Sequence, residues 1–206
     1  MVICDMAVHQ HTDGRVARGQ RTRDAIVEAH TALLREGVLK PTAKVIAQRA
    51  GISVRTLWLN YKDTETLLGA TTAYWLEADA ELRDDIDPGL PLDERVERYL
   101  DMRARRLEHL APAARSAALG EPFSVALQES RRQHVDRVRD DLAHVFAAEL
   151  TAEGPGRDVL AAGLFVASSW PTWSSLRDDL GLDPDAARAV VRASLLSLLT
   201  EASART

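Results

Sequence analysis

The chain has 206 residues, enough for one large domain or two small ones with a sizeable core, and its 46% apolar and 28% charged residues are ordinary for a soluble globular protein. Its single cysteine, Cys4, excludes an internal disulfide framework and a Cys-based zinc site and fits a reducing cytoplasm; the apolar start 1–4, broken by Asp5, is too short for a signal peptide, and Met6 is an alternative start. The net charge of −5 conceals a split: residues 1–62 carry ten bases against five acids, and the rest sixteen bases against 26 acids. A basic first quarter on an acidic body points to a polyanion partner for the first quarter alone, although such imbalance also arises by chance.

Helical periodicity runs almost throughout, with no convincing strand alternation, so the expected class is all-α. Residues 1–17 read as a loose tail. Helix one is expected over 18–35, with Ile26, Ala29, Leu33 and Leu34 on one face and Gly37 beyond its end. Thr42 is placed to cap a short helix over 43–50, Gly51 to supply a turn, and Ser53 to cap a third helix over 54–60. A fourth begins at Asp63 or Thr64 and reaches about residue 85, with the stripe Leu67, Thr71, Tyr74, Ala78, Leu82.

After the breakers Asp87-Pro88-Gly89 and Pro91, helices are expected over 92–110, 113–119, 122–150, 157–180 and 184–202, which makes about nine in all. Asp183 followed by Pro184 is a cap with proline at the first helical position. Residues 159–176 contain no charge and approach the length of a membrane span. Four serines, Pro171 and the lack of a flanking basic cluster instead favour a helix buried between protein surfaces, with no membrane association.

Residues 46–57 hold the informative pattern. Ala47 lets two short helices cross closely, Gly51 can adopt the left-handed backbone of a tight turn, and Ile46, Ile52 and Leu57 fill the wedge between them. This is the helix-turn-helix pattern, in which the second helix enters the major groove of DNA. Other helical hairpins share the central glycine. The continuation Thr56-Leu57-Trp58-Leu59-Asn60-Tyr61, then Lys62-Asp63-Thr64-Glu65-Thr66-Leu67-Leu68, resembles the DNA-binding domain of TetR-family regulators over residues 21–68. The 173–183 segment resembles the end of the penultimate helix in many members. Trp58 stands where the family usually has Tyr, Asn60-Tyr61 replaces His-Phe, and Thr64 replaces a phosphate-contacting Lys. Lys62 or the backbone N–H groups of helix four can supply that contact.

The resemblance implies a tail (1–17), a helix-turn-helix domain (18–62) and a helical ligand-binding and dimerisation domain (63–206). Val54, Arg55, Leu59 and Asn60 would face base edges, where Arg55 can read guanine and Asn60 adenine. Thr42, Lys44, Ser53, Thr56, Trp58 and Lys62 would position the DNA backbone, and Arg15, Arg18 and Arg21 could reach phosphates or a minor groove. The bland alternatives are solvated surface charge for each Arg and packing for Trp58 and Tyr61, packing being preferred for Tyr61.

The last two helices, within 157–202, would pair with their copies in a four-helix bundle, through Leu160, Leu164, Ala167 and Trp170 on one and Val190, Val191, Leu195, Leu198 and Leu199 on the other. A small-molecule effector would bind among helices four to eight, with Tyr74, Trp75, Tyr99, Met102, Phe123, Leu127, Trp170 and Trp173 as wall candidates, although core packing explains them equally well. Arg103 falls on the apolar stripe Leu92, Val96, Tyr99, Leu100, Leu107, Leu110. It meets either an acidic ligand or an internal carboxylate. His134, beside Val135, Val138 and Leu142, is open to the same two readings.

The expected function is a cytoplasmic, ligand-responsive regulator, a repressor that a small molecule releases from a palindromic double-stranded operator. The alternatives are a helical protein-binding adaptor and an all-α enzyme with dispersed catalytic residues. Neither Glu-x-x-His nor His-Glu-x-x-His spacing occurs, nor a phosphate loop or Gly-x-Ser-x-Gly elbow, so no catalytic residue, metal or cofactor is assigned.

Overall fold

The computed structural model describes residues 4–151 and 155–203, and side chains over 16–151 and 156–200. Among these residues the chain is all-α, with nine α-helices: α1 (Cys4–Arg35), α2 (Ala43–Arg49), α3 (Val54–Asn60), α4 (Thr64–Glu81), α5 (Leu92–Ala118), α6 (Val125–Val145), α7 (Pro155–Ala167), α8 (Trp170–Ser174) and α9 (Pro184–Ser203). A 3-10 turn at Glu121–Phe123 precedes α6, and a π-helical turn at Ser175–Asp179 continues α8. None of the described helices is long and apolar enough to cross a membrane.

Capping residues set several helix starts. The Thr42 and Ser53 hydroxyls accept from the amides of Val45 and Thr56, the Asp63 carboxylate accepts from the Thr66 amide, and Asp183 accepts from the Ala186 amide. Each satisfies an amide that has no partner inside its own helix. The turn between α2 and α3 passes through Gly51 at φ +67°, in the left-handed region where a Cβ is strained.

The fourth helix stops at Glu81 and the sixth spans Val125–Val145, both shorter than the periodicity, and three larger differences stand beside these. Helical backbone begins at Cys4, well before residue 18. Pro112 does not end the fifth helix: α5 runs through it to Ala118, so the segment expected as a separate helix at 113–119 is its last turns. The missing proline N–H removes one ladder bond. Buried Leu110 and Ala111 just before it, and a Ser116 hydroxyl bonded to the Leu39 carbonyl at 2.7 Å just after it, hold the helix on both sides. Conversely, the helix expected over 157–180 breaks at Ser168–Ser169. Ser169 takes an extended ψ of 160° and α8 restarts with Pro171 in its first turn, where a missing N–H leaves no bond unmade.

The chain forms two compact units, Met1–Trp75 with Arg115–Gln128, and Leu76–Ala114 with Glu129–Thr206. The division falls within α4, α5 and α6. The core of the first unit is Ile26, Ala29, Leu33, Ile46, Ala47, Leu57, Tyr61 and Leu67. That of the second is built on Val96, Tyr99, Leu100 and Leu107 of α5 with Val138, Leu142, Phe146, Leu164, Trp173, Val191, Leu195 and Leu199. Burying side chains of this size stabilises by about 1.5–3 kcal/mol each before chain entropy is set against it.

Candidate functional sites

In the first unit, α2 and α3 turn their apolar faces inward. Ile46, Ala47 and Leu57 are fully buried, with Ile52 packed against them, so the wedge residues fill the angle between the helices. Tyr61 is buried as well, and its hydroxyl donates to the Arg23 carbonyl at 3.3 Å; it packs the small domain. Burial pushes its phenol above the ordinary tyrosine range.

The outer face of α3 is open. Val54, Arg55, Trp58 and Leu59 are exposed, Leu59 by 74%, and Lys44, Lys62, Thr42 and Ser53 are exposed around them. Leu59 takes no part in the core of the unit. Four residues have second attachments. The Asn60 amide nitrogen donates back to the Thr56 carbonyl at 2.9 Å, so adenine readout would require that bond to be exchanged. The Thr42 and Ser53 hydroxyls are helix caps, and the half-buried Thr56 shares a 2.9 Å hydroxyl contact with Ser53. Arg18 and Arg21 are exposed on α1, while the Arg15 side chain lies outside the described residues. Thr64 is exposed at the start of α4.

The effector-site candidates divide between the units. In the first, Tyr74 and Trp75 meet edge to face at 5.9 Å. The Arg35 guanidinium lies 4.7 Å above the Trp75 ring and donates to the Tyr74 hydroxyl at 3.1 Å. The buried face of α4 therefore runs Leu67, Thr71, Trp75, Asp79 rather than through Tyr74 and Ala78. Phe123 is 89% exposed, and Leu127 is buried close to Gly120.

In the second unit Met102 and Trp173 are core residues, the Trp173 indole donating to Glu108 at 2.8 Å, and Trp170 packs at the core margin. Tyr99, Arg103 and His134 come together around Ser168. Tyr99 donates to the Ser168 hydroxyl at 3.1 Å, Arg103 Nε donates to the Ser168 carbonyl at 2.8 Å, and Arg103 Nη2 lies 3.4 Å from His134 Nε2. Burial holds His134 down at about 4, so at neutral pH its Nε2 is the acceptor and the proton sits on Nδ1.

Next to this group lies a buried ion network that sequence reasoning missed. Arg106 forks onto both oxygens of Asp79, at 2.8 and 2.7 Å, and reaches Asp141 at 2.5 Å, while Arg83 takes the other Asp141 oxygen at 2.6 Å. The bonds to Arg106 hold the Asp79 carboxyl below its ordinary range against the opposing effect of burial. Among the described residues, no group of three or more His, Cys, Asp or Glu side chains is placed to hold a metal ion.

No family model matches the chain, and no curated protein does. Among solved structures it is similar to the crystal structure of a transcriptional regulator from Rhodococcus sp. Rha1, with a TM-score of 0.58 and 15% identity over 89% of this chain and 96% of that chain. At that identity the likeness is one of fold.

Proposed function

We propose that the chain is a DNA-binding transcriptional regulator of the TetR type, not an enzyme, working as a cytoplasmic homodimer whose affinity for a palindromic operator falls when a small molecule binds. The observation that carries the reading is α3: a short helix buried only through Leu57 and presenting Val54, Arg55, Trp58 and Leu59 outward, flanked by exposed Lys44 and Lys62. That combination suits a helix in a major groove, with cations on the phosphates and Arg55 and Leu59 at base edges. The basic balance of residues 1–62 agrees with it, as does a solved fold-mate described as a transcriptional regulator.

Dimerisation is assigned to α7 and α9. Val159, Ala162 and Val166 share one side of α7 at i, i+3, i+7 spacing; all three are exposed, Val159 by 71% and Val166 by 59%, and Val190 of α9 is exposed too. Leu160, Leu164, Val191, Leu195 and Leu199, expected at the interface, are consumed by the core of the second unit, so the seam falls to the residues beside them. The effector would act on α4, whose residues belong to both units, and so bias two states of the dimer.

A gel-shift titration with the DNA flanking the chain's own gene tests the reading. The expected outcome is a shift at low salt that weakens steeply as salt rises. Arg55→Ala should lose about 1–3 kcal/mol of specific affinity while non-specific binding survives. No shift at low salt, on that DNA or on sites selected from the whole genome, sinks the proposal.

A further inference from the structure

Three arginines on α5 are buried: Arg95, Arg103 and Arg106. A buried guanidinium needs anionic or carbonyl acceptors for its five N–H groups. Two have them. Arg95 forks onto Glu149 at 2.8 and 2.6 Å and also bonds the carbonyls of Leu90 and Val145. Arg106 forks onto Asp79 and reaches Asp141.

Arg103 differs. It is 2% exposed, its Nε is satisfied by a carbonyl, its Nη2 has a long contact to neutral His134, and its Nη1 is buried with no hydrogen-bond partner among the described residues. The two nearby acids are already matched. Every oxygen of Asp79 and Asp141 accepts from Arg106 or Arg83, so Arg83–Asp141–Arg106–Asp79 is a neutral set of two cations and two anions, and Arg103 stands outside it as surplus positive charge. Arg137, half-buried on α6 and bonded through Nη1 to the Leu76 carbonyl at 2.6 Å, adds to that surplus. Among the described residues no carboxylate hydrogen-bonds Arg103: Asp79 and Asp141 attract it only through space, their oxygens being held by Arg106 and Arg83.

We infer that Arg103 is the anchor for the carboxylate of a small organic acid, which takes Nη1 and Nη2 as a two-pronged donor while Ser168, braced by Tyr99, holds Nε. This deepens the regulator reading and rests on it, since it names the chemical class of the effector. His134 turns the acceptor face of its ring to the same guanidinium, so a bound carboxylate displaces a weak neutral acceptor with a charged one. The arrangement is selective: a planar fork aimed at a planar anion distinguishes an acid from its amide or alcohol.

The test uses full-length protein without DNA, at constant ionic strength set with sodium chloride. Tryptophan fluorescence and calorimetry follow titration with sodium benzoate and sodium octanoate, and with benzamide and octanol as uncharged counterparts. At least one carboxylate is expected to bind saturably and its uncharged counterpart not. Arg103→Met should weaken that binding about tenfold to a hundredfold. The same variant should melt at or above the wild-type temperature, because a surplus buried cation is replaced by an apolar chain of similar length. A purely structural Arg103 would instead lower the melting temperature and leave carboxylate affinity alone.

Arg103→Lys keeps the charge without the fork and covers the case in which Arg103→Met does not fold; it should weaken binding about tenfold. Saturable binding by neither acid, equal binding of acid and amide, or unchanged affinity in Arg103→Lys overturns the assignment. Operator binding without carboxylate binding would remove this inference and leave the regulator reading. Carboxylate binding without any DNA shift would do the reverse.

Discussion

His30 shows how burial tunes a single residue. It is buried on α1 with Nδ1 2.9 Å from the Thr71 hydroxyl, which itself donates to the Leu67 carbonyl, so the imidazole is the donor to Thr71 and stays neutral. Desolvation lowers it from an ordinary 6.5 to about 4. Between those values the unfolded chain binds more protons than the folded one, so the stability His30 contributes is fully present above about pH 6.5 and is lost as pH falls towards 4. The contribution is up to about 3 kcal/mol. Urea midpoints measured from pH 7 to pH 4 should fall, and His30→Gln should flatten the fall in part, leaving the share due to His134, whose shift has the same direction. An unchanged slope in that variant would reassign the titration. The surface pair Arg98–Glu94, by contrast, is half in water and is worth a few tenths of a kcal/mol.

At the scale of elements, boundaries follow local chemistry wherever a cap or turn residue is present and depart from it where packing intervenes. Gly51 is the position at which backbone conformation alone matters. A Cβ there would meet no atom within 4 Å, yet φ is +67°, so Gly51→Ala should cost about 1–2 kcal/mol through backbone strain and not through crowding. Thermal unfolding of that variant checks the size. Gly51→Asn, which tolerates the left-handed region better, should recover part of the loss; equal losses for both would point to a cause other than φ. Pro112 and Pro171 act oppositely. Pro112 sits inside a continuous α5, whereas Pro171 lies in the first turn after a break. The break matters to the candidate effector site because it leaves the Ser168 carbonyl available to Arg103.

For the whole molecule, the asymmetry of charge and the exposed valines of α7 make one joint prediction. Val159→Asp with Val166→Asp places two like charges on the proposed two-fold seam, where each would face its copy in a dry interface. Sedimentation or light scattering should then report a monomer in place of a dimer. Operator affinity should drop about a hundredfold or more, because the two recognition helices no longer bind as one ligand. A double variant that remains a dimer would move the interface elsewhere. The salt dependence of DNA binding should survive in the monomer with a smaller slope, since each protomer keeps its own Lys44 and Lys62.

The all-α class, the caps at Thr42, Ser53, Asp63 and Asp183, the turn at Gly51 and the inward faces of α1, α2 and α3 are determined by the sequence alone, because each depends on residues within a few positions of one another. The open face of α3 was legible for the same reason: Leu57 faces in, so its neighbours in the helical repeat face out. Tertiary structure alone decided the rest. An aspartate at position 79 or 141 reads as solvent-exposed until a partner from another helix arrives, and Arg106 lies 27 and 35 residues away in the chain. The surplus at Arg103 is likewise invisible in one dimension: it is defined by which carboxylates the neighbouring arginines have already taken, and that is settled only when α4, α5 and α6 bring their charges together in a medium too dry to tolerate one left over.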